Sequence, residues 1–173
     1  ELLDCCCGTG TIPKAAIKVK RAALSVRNSV ETVWACDKYQ YPLQVANISM
    51  TDAETINIAN RIFQHNALTL KTGEHISIVN PEDGSNIDLR LPCFGTIVSN
   101  LPFVAFENIQ SDDRQYINEL VDRYGLDGRA DLYNYIAVKI VDLLKDGGTL
   151  GIIVSNSWMG TIKKKKFIDA LLK

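Results

Sequence analysis

Short apolar runs recur along the chain, and each is followed by a turn-forming or polar residue and then by an amphipathic stretch. Apolar runs of this length, bounded by turn residues, are typical of buried strands. They occur at residues 1–5, 32–36, 61–65, 96–99 and 150–154. We predict a strand at each of these places, with the last strand fully buried.

Helices are predicted between these strands, where apolar residues recur with a period of about 3.6. The first helix follows a glycine turn and has Pro13 in its first turn. Its apolar face is predicted to contain Ile12, Ala16, Val19 and Ala23. Further helices are predicted over residues 41–50, 112–124 and 131–145 and from about residue 160 onward. Residues 71–95 alternate between apolar and polar side chains around a turn at 81–84, which predicts a hairpin or a long surface excursion.

Strands that alternate with helices, without internal repeats, predict an α/β fold. We expect a doubly wound, mainly parallel sheet flanked by helices, in a single domain over residues 1–173. The chain starts without methionine and inside an apolar run, so we also expect it to be truncated at both ends. In such sheets, ligands bind beyond the carboxyl ends of the strands, at the point where the strand order reverses.

Polar features fall at those carboxyl ends: a glycine turn at residues 7–11, Asp37, Asn66 and Asn100. An acid in the position of Asp37 can accept both hydroxyls of a ribose, or it can cap the next helix. The corner 100–103 offers an amide, a rigid proline and an aromatic ring to a flat molecule, although it also suits an ordinary turn. The polar stretch that follows, to about residue 112, is either a lid or a surface connection.

Composition narrows the class of protein. Hydrophobic residues make up 46% of the chain and charged residues 23%, the mixture of a globular domain, and the net charge is −1. No apolar run is long enough to span a membrane and no signal peptide is recognised, so we expect a cytoplasmic protein with no membrane partner. The five cysteines lack the paired spacing of a zinc site, and neither histidine adjoins a serine or cysteine. We predict reduced thiols, no metal and no nucleophilic hydrolysis.

Three blocks of sequence carry a family resemblance. Residues 3–10 read LDCCCGTG and residues 97–103 read IVSNLPF. The third block combines 131–133, the helix after it, 145–148 and 153–158. The first block resembles an Asp-Pro-x-Cys-Gly-Ser/Thr-Gly cofactor loop, and the second resembles an Asn-Pro-Pro-Tyr/Phe catalytic motif. Together the blocks resemble the adenine-specific DNA methyltransferases of restriction–modification systems, which use S-adenosylmethionine.

The resemblance implies a Rossmann-like methyltransferase fold and a cofactor site at the sheet edge. The methionine end of S-adenosylmethionine would lie against the loop that contains Asp4, Cys5, Cys7, Gly8, Thr9 and Gly10. Asp37 would bind the ribose, while Asn66 and Ala67 would face the adenine of the cofactor. The family usually has aspartate where this chain has Asn66.

The resemblance also assigns roles around the target adenine, which must be flipped out of a DNA duplex before it can react. The side-chain oxygen of Asn100 and the carbonyl of Leu101 would accept the two amino hydrogens. Pro102 would keep the corner rigid, and Phe103 would stack on the base. DNA and a specificity or restriction subunit are the implied partners. We expect most DNA contacts to come from outside this chain, because a net charge of −1 offers few phosphate contacts.

Two positions depart from the family pattern and keep alternatives open. Leu101 replaces the first proline of the catalytic motif, and Cys5 replaces the proline of the cofactor loop. Asn-Leu-Pro-Tyr/Phe is also the pattern of ribosomal RNA adenine dimethylases, and related enzymes methylate protein glutamine. A subunit that binds cofactor or a partner without catalysis is a further alternative.

Overall fold

The computed structural model describes residues 1–156 and 163–172. These residues form a parallel sheet with helices against it and a separate hairpin. In chain order the elements are β1 (Leu2–Asp4), α1 (Thr11–Lys20), α2 (Val26–Glu31), β2 (Val33–Asp37), α3 (Gln40–Met50), β3 (Arg61–Gln64), β4 (His75–Val79), β5 (Asn86–Arg90), β6 (Phe94–Asn100), α4 (Ser111–Tyr124), α5 (Leu132–Val141), β7 (Leu144–Ile153) and α6 (Lys163–Leu171).

The main sheet has the strand order β3-β2-β1-β6-β7, and every neighbouring pair is parallel. The chain runs outward from β1 to β3, then returns to place β6 on the other side of β1. The strand order therefore reverses between β1 and β6, where a ligand site is expected. The predicted α/β fold, a doubly wound parallel sheet flanked by helices, is confirmed.

The alternation of side chains along β2 shows why helices cover both faces of the sheet. Val33 packs with Ile17 of α1 and Met50 of α3 on one face. Trp34 points to the other face and joins the largest core cluster, which includes buried residues of α4 and α5. Since both faces of β2 are apolar, each must be covered by other elements.

The hairpin prediction is confirmed by the antiparallel pair β4 and β5. Ile76 and Ile78 point into the main core, whereas His75, Ser77 and Val79 are exposed. The predicted helix over 112–124 is also confirmed as α4. It ends at Gly125, whose φ of 69° gives the left-handed terminus that glycine favours.

The predicted apolar face of α1 is wrong by one position. Pro13 and Ile17 are the buried residues of this helix, whereas Val19 is 74% exposed. The helix ends at Lys20, so Ala23 lies beyond it. Alanines and valines on several sides of α1 leave its rotation open in the sequence. The rotation is set by α2 and α3, because Ile17 fits against Val30 and Met50.

The junction between α5 and β7 also differs from the prediction. The helix ends at Val141, and Lys145 already belongs to β7. Phe94 of β6 pairs with Leu144, but Thr96 pairs with Thr149, so β7 carries extra residues that bulge from the ladder. Gly147, with a φ of 74°, forms this bulge rather than a helix stop. Ile153 is exposed because β7 lies at an edge of the sheet, so the strand is not fully buried. Residues 157 and 158 of the third block, and the predicted start of the last helix at about residue 160, lie outside the described residues.

Candidate functional site

A cavity of about 370 Å³ lies at the carboxyl edge of the sheet. Its volume is in the range of roughly 300 to 1,000 Å³ that is typical of small-molecule sites. Residues from the ends of β1, β2, β3 and β6 line it. The predicted site residues among them are Cys5, Asp37, Asn66, Ala67, Asn100 and Pro102. The structure thus brings the residues after β1, the acid that ends β2, the amide after β3 and the corner 100–103 to one cavity, whereas Cys7, Gly8, Thr9 and Gly10 of the glycine loop lie outside its lining.

Asp4 lies beside the cavity rather than in its wall. Its Oδ1 accepts hydrogen bonds from Ser99 Oγ at 2.6 Å and from the Cys6 amide at 3.2 Å. Asp4 is buried, and this burial raises its pKa to about 6, against the opposing effect of the two hydrogen bonds. The nearby charge of Asp37 raises the pKa further. Asp4 therefore joins β1 to β6 where the strand order reverses.

The glycine loop owes its shape to backbone geometry and to the packing of α3. Gly8 and Gly10 have positive φ angles of 50° and 86°. A Cβ on Gly10 would lie 2.9 Å from Ser49 Oγ and 3.0 Å from Ala46 of α3, whereas one on Gly8 would meet nothing within 4 Å. Glycine is therefore needed at position 10 for close helix packing. The Thr9 carbonyl, which accepts from Ser49 Oγ at 2.9 Å, attaches the loop to α3.

Asp37 binds the glycine loop to the end of β2. Its Oδ2 accepts the Gly8 amide at 3.0 Å and its Oδ1 accepts the Tyr39 amide at 3.0 Å. The N-cap of α3 is Tyr39, so the interpretation of Asp37 as the cap of that helix is wrong. Its carboxylate lines the cavity while holding the loop.

Asn66 and Ala67 follow β3 and line the cavity. The Asn66 amide has a fixed orientation, because its Oδ1 accepts the Leu68 amide at 3.1 Å. Its Nδ2 donates to Asp113 Oδ1 at 2.7 Å. Asp113 lies in the first turn of α4, far away in sequence. The wall after β3 is therefore coupled to α4.

The corner 100–103 divides between wall, core and surface. Asn100 is exposed and lines the cavity, and its side-chain amide has no hydrogen-bond partner within the part of the chain that the structure describes. Leu101 is buried, and its amide donates to the Ile153 carbonyl at 3.1 Å. Pro102 lines the cavity, whereas Phe103 is 59% exposed outside it. The corner thus offers an unpaired amide and an exposed ring, both on a backbone held by β7.

Three of the thiols around the loop have raised pKa values. The sulfur atoms of Cys5 and Cys6 lie 3.9 Å apart. The hydrogen bond between these two thiols is the main cause that raises the pKa of Cys6, and burial of the Cys6 thiol raises it further. Burial raises the pKa of Cys7 and of Cys36. Thiols with raised pKa values stay protonated and are poor nucleophiles. Cys7 instead packs in the core with Ala35.

Several residues of the cavity wall were not predicted from the sequence. Lys38 Nζ binds Asp113 Oδ2 at 2.9 Å and Gln110 Oε1 at 2.7 Å, and all three residues line the cavity. Lys38 directly follows Asp37, which marks its place at the sheet edge. No local signal marks Gln110 and Asp113, because their partners after β2 and β3 are distant in sequence.

Residues 1–156 and 163–172 contain no cluster of three or more His, Cys, Asp or Glu side chains that could hold a metal ion. In those ranges no helix combines the length and apolar character needed to cross a lipid bilayer.

A comparison with protein families matches residues 12–173 to the Eco57I restriction-modification methylase family. The matched region contains Asp37, Asn66 and the corner 100–103, and it begins just after the glycine loop. The match agrees with the resemblance to restriction–modification methyltransferases and with the parallel sheet. The chain therefore belongs to the Eco57I restriction-modification methylase family, whose general activity is the methylation of DNA.

Proposed function

We propose that this protein transfers a methyl group from S-adenosylmethionine to the exocyclic amine of adenine in DNA. The observation that carries the proposal is the shared cavity. Asn100 and Pro102 of the corner line the same space as Asp37 and Asn66. A methyl donor and a flat base would thus be held side by side at the reversal point of the sheet.

The volume of the cavity and the polar groups in its wall suit an adenosyl cofactor. Asp37 presents a carboxylate that can accept ribose hydroxyls, and Asn66 and Ala67 form the wall beside it. The loop from Asp4 to Gly10 would bind the methionine end through its backbone, beside the Asp4 carboxylate. When bound, S-adenosylmethionine supplies an electrophilic methyl group on a positively charged sulfur.

The corner has the groups needed to orient a target adenine. The Asn100 oxygen and the Leu101 carbonyl would accept the two amino hydrogens. These hydrogen bonds would draw the nitrogen lone pair out of conjugation with the ring and direct it toward the methyl group. Leucine at position 101 provides the same carbonyl as proline, and its burial replaces the rigidity that proline would give. Phe103 would stack on the flipped base with its exposed ring.

Binding of the cofactor is tested by calorimetry of S-adenosylmethionine against the full-length protein. We expect saturable binding, and binding should weaken when Asp37 is replaced by alanine. Absence of binding would contradict the methyltransferase proposal and favour a non-catalytic subunit.

The substrate is tested by sequencing modified adenines in the host genome with and without the gene. We expect N6-methyladenine at a defined DNA motif to disappear on deletion. DNA methylation that survives, together with a loss of methylation in ribosomal RNA, would favour the RNA adenine enzymes that share the Asn-Leu-Pro pattern. The same strains, with a tagged copy of the protein, would reveal a specificity or restriction subunit by co-purification.

A further inference from the structure

Residues 104–110, which we call the strap, follow the catalytic corner and cover one side of the cavity. Val104, Asn108, Ile109 and Gln110 of the strap line this cavity. We propose that Asp113 is a positioning residue that holds the strap over the cofactor site by binding Lys38 and Asn66 together. This inference rests on the proposed function, because it takes the cavity to be the cofactor site.

Asp113 connects three elements through its carboxylate. Lys38 Nζ lies 3.0 Å from Oδ1 and 2.9 Å from Oδ2, and Asn66 Nδ2 donates to Oδ1 at 2.7 Å. Lys38 follows β2, Asn66 follows β3, and Asp113 is in the first turn of α4. One carboxylate therefore links α4 to both walls of the proposed adenosine site.

The strap is fixed at both of its ends. At its start, the Val104 carbonyl accepts the Leu132 amide of α5 at 2.9 Å. At its end, Gln110 accepts from Lys38 and donates to the Tyr39 hydroxyl at 3.1 Å. Between these points Ile109 is buried against the core. To open the strap from the β2 side, the contacts of Lys38 with Gln110 and Asp113 must break.

Burial of Asp113 makes the loss of its contact with Lys38 costly. Asp113 is only 4% exposed, although it carries a carboxylate at the start of a helix. The carboxylate side chain of this salt bridge is 5% exposed, against 50% for Asp52 in the surface pair with Arg21, whereas the two basic side chains are similarly exposed. Breaking a shielded pair by removing one partner leaves the other charge poorly compensated. Opening of the strap should thus depend strongly on both Lys38 and Asp113.

The location of the strap and of its contacts indicates which parts of the site it can hold in place. Lys38 is adjacent to Asp37, the proposed ribose ligand, and Asn66 is the proposed wall for the adenine. The strap itself continues directly from Phe103. A closed strap would therefore hold the cofactor walls and the catalytic corner in place together. Release of cofactor would require the contacts of Asp113 with Lys38 and Asn66 to break.

The test measures dissociation of radiolabelled S-adenosylmethionine from the full-length protein by pulse–chase filter binding. The variants are Asp113→Asn, Lys38→Met and the double replacement. Asp112→Asn is the matched control, because Asp112 is also acidic and in the first turn of α4 but is exposed and lies outside the cavity wall. Each single variant should release cofactor about tenfold faster or more, as expected for a lost charge-assisted hydrogen bond. The double variant should be no worse than the stronger single variant.

A second readout follows strap opening without cofactor. Amide hydrogen exchange over residues 104–110 should be faster in Asp113→Asn and in Lys38→Met than in wild type, while Asp112→Asn should match wild type. The KM for cofactor should rise in both variants and should stay at the wild-type value in Asp112→Asn.

The outcomes separate the two proposals. If wild type binds cofactor but Asp113→Asn and Lys38→Met leave release and exchange unchanged, the role of Asp113 is wrong and the methyltransferase proposal stands. Additive effects of the two replacements would also contradict a shared contact. If wild type does not bind S-adenosylmethionine, the proposed function fails, and the inference about Asp113 fails with it. Should Asp113→Asn not fold, Lys38→Met alone decides the result.

Discussion

The Ser99 hydroxyl donates a hydrogen bond of 2.6 Å to Asp4 Oδ1, across the point where the strand order reverses. Asp4 ends β1 and Ser99 immediately precedes Asn100 on β6. The bond therefore joins the start of the glycine loop to the start of the corner 100–103. Asp4 is buried and has a raised pKa, and the hydrogen bond holds it between the glycine loop and the corner 100–103.

Stability should fall as the pH rises through the titration of Asp4. Burial raises its pKa from 3.8 to about 6 in the folded protein, so the folded state binds this proton more tightly than the unfolded chain. The stabilisation is complete below about pH 4 and is lost as the pH rises through about 6, with a total on the order of 3 kcal/mol.

Urea denaturation of wild type and Asp4→Asn between pH 4 and pH 8 measures this loss, with the pH limits set roughly by the two pKa values. Asparagine keeps the acceptor for Ser99 but does not titrate, so the difference in unfolding free energy should change in favour of the variant as the pH rises. Asp112→Asn, at an exposed site, is the control. Parallel pH profiles for wild type and Asp4→Asn would contradict the prediction.

Local sequence patterns predicted those elements whose conformation depends on residues that are close in the chain. The apolar run ending at Asp37 and the alternation at 75–79 correspond to β2 and β4 because burial of one or both strand faces leaves a direct mark in the sequence. Gly125 predicted the end of α4 because the left-handed terminus of a helix favours glycine.

Features set by distant contacts could not be predicted. Ile17 rather than Val19 is buried because α2 and α3 determine the rotation of α1. Lys38 and Asp113 are 75 residues apart, and the polar run before α4 gives no sign that its first turn reaches β2. The cavity wall supplied by the strap therefore becomes visible only in the structure.

Alanine at position 10 should destabilise the protein more than alanine at position 8. Both glycines have positive φ, so either replacement costs roughly 1–2 kcal/mol in backbone strain. At position 10 the new Cβ would also press on Ala46 and Ser49, which adds roughly 1–3 kcal/mol for overpacking. Gly8→Ala is the matched control, since its Cβ meets nothing within 4 Å. Denaturation without cofactor measures the difference, and equal losses would show that helix packing is not the reason for Gly10.

Asn100→Ala should keep cofactor binding and abolish methyl transfer. Asn100 is exposed, and its amide has no partner among the described residues, so its removal should change the unfolding free energy by less than about 0.5 kcal/mol. Transfer should fail because the target amine loses an acceptor. Calorimetry with S-adenosylmethionine and a methylation assay with DNA separate the two effects. Asn86→Ala on the exposed hairpin is the control and should behave as wild type. Retained turnover in Asn100→Ala would rule out the hydrogen-bonding role.

Phe103→Ala should slow methylation without weakening the fold or the binding of cofactor. Its ring is 59% exposed and lies outside the cavity wall, so little core packing is lost. Stacking of a base on an aromatic ring contributes about 1–3 kcal/mol, so kcat/KM for DNA should fall by about tenfold to hundredfold. Phe103→Trp should restore most of the activity, because it again offers a stacking surface. Tyr41→Ala, which removes another exposed ring on α3, should leave activity unchanged. If Phe103→Ala methylates DNA as wild type does, the base is held by other residues and the stacking role is wrong.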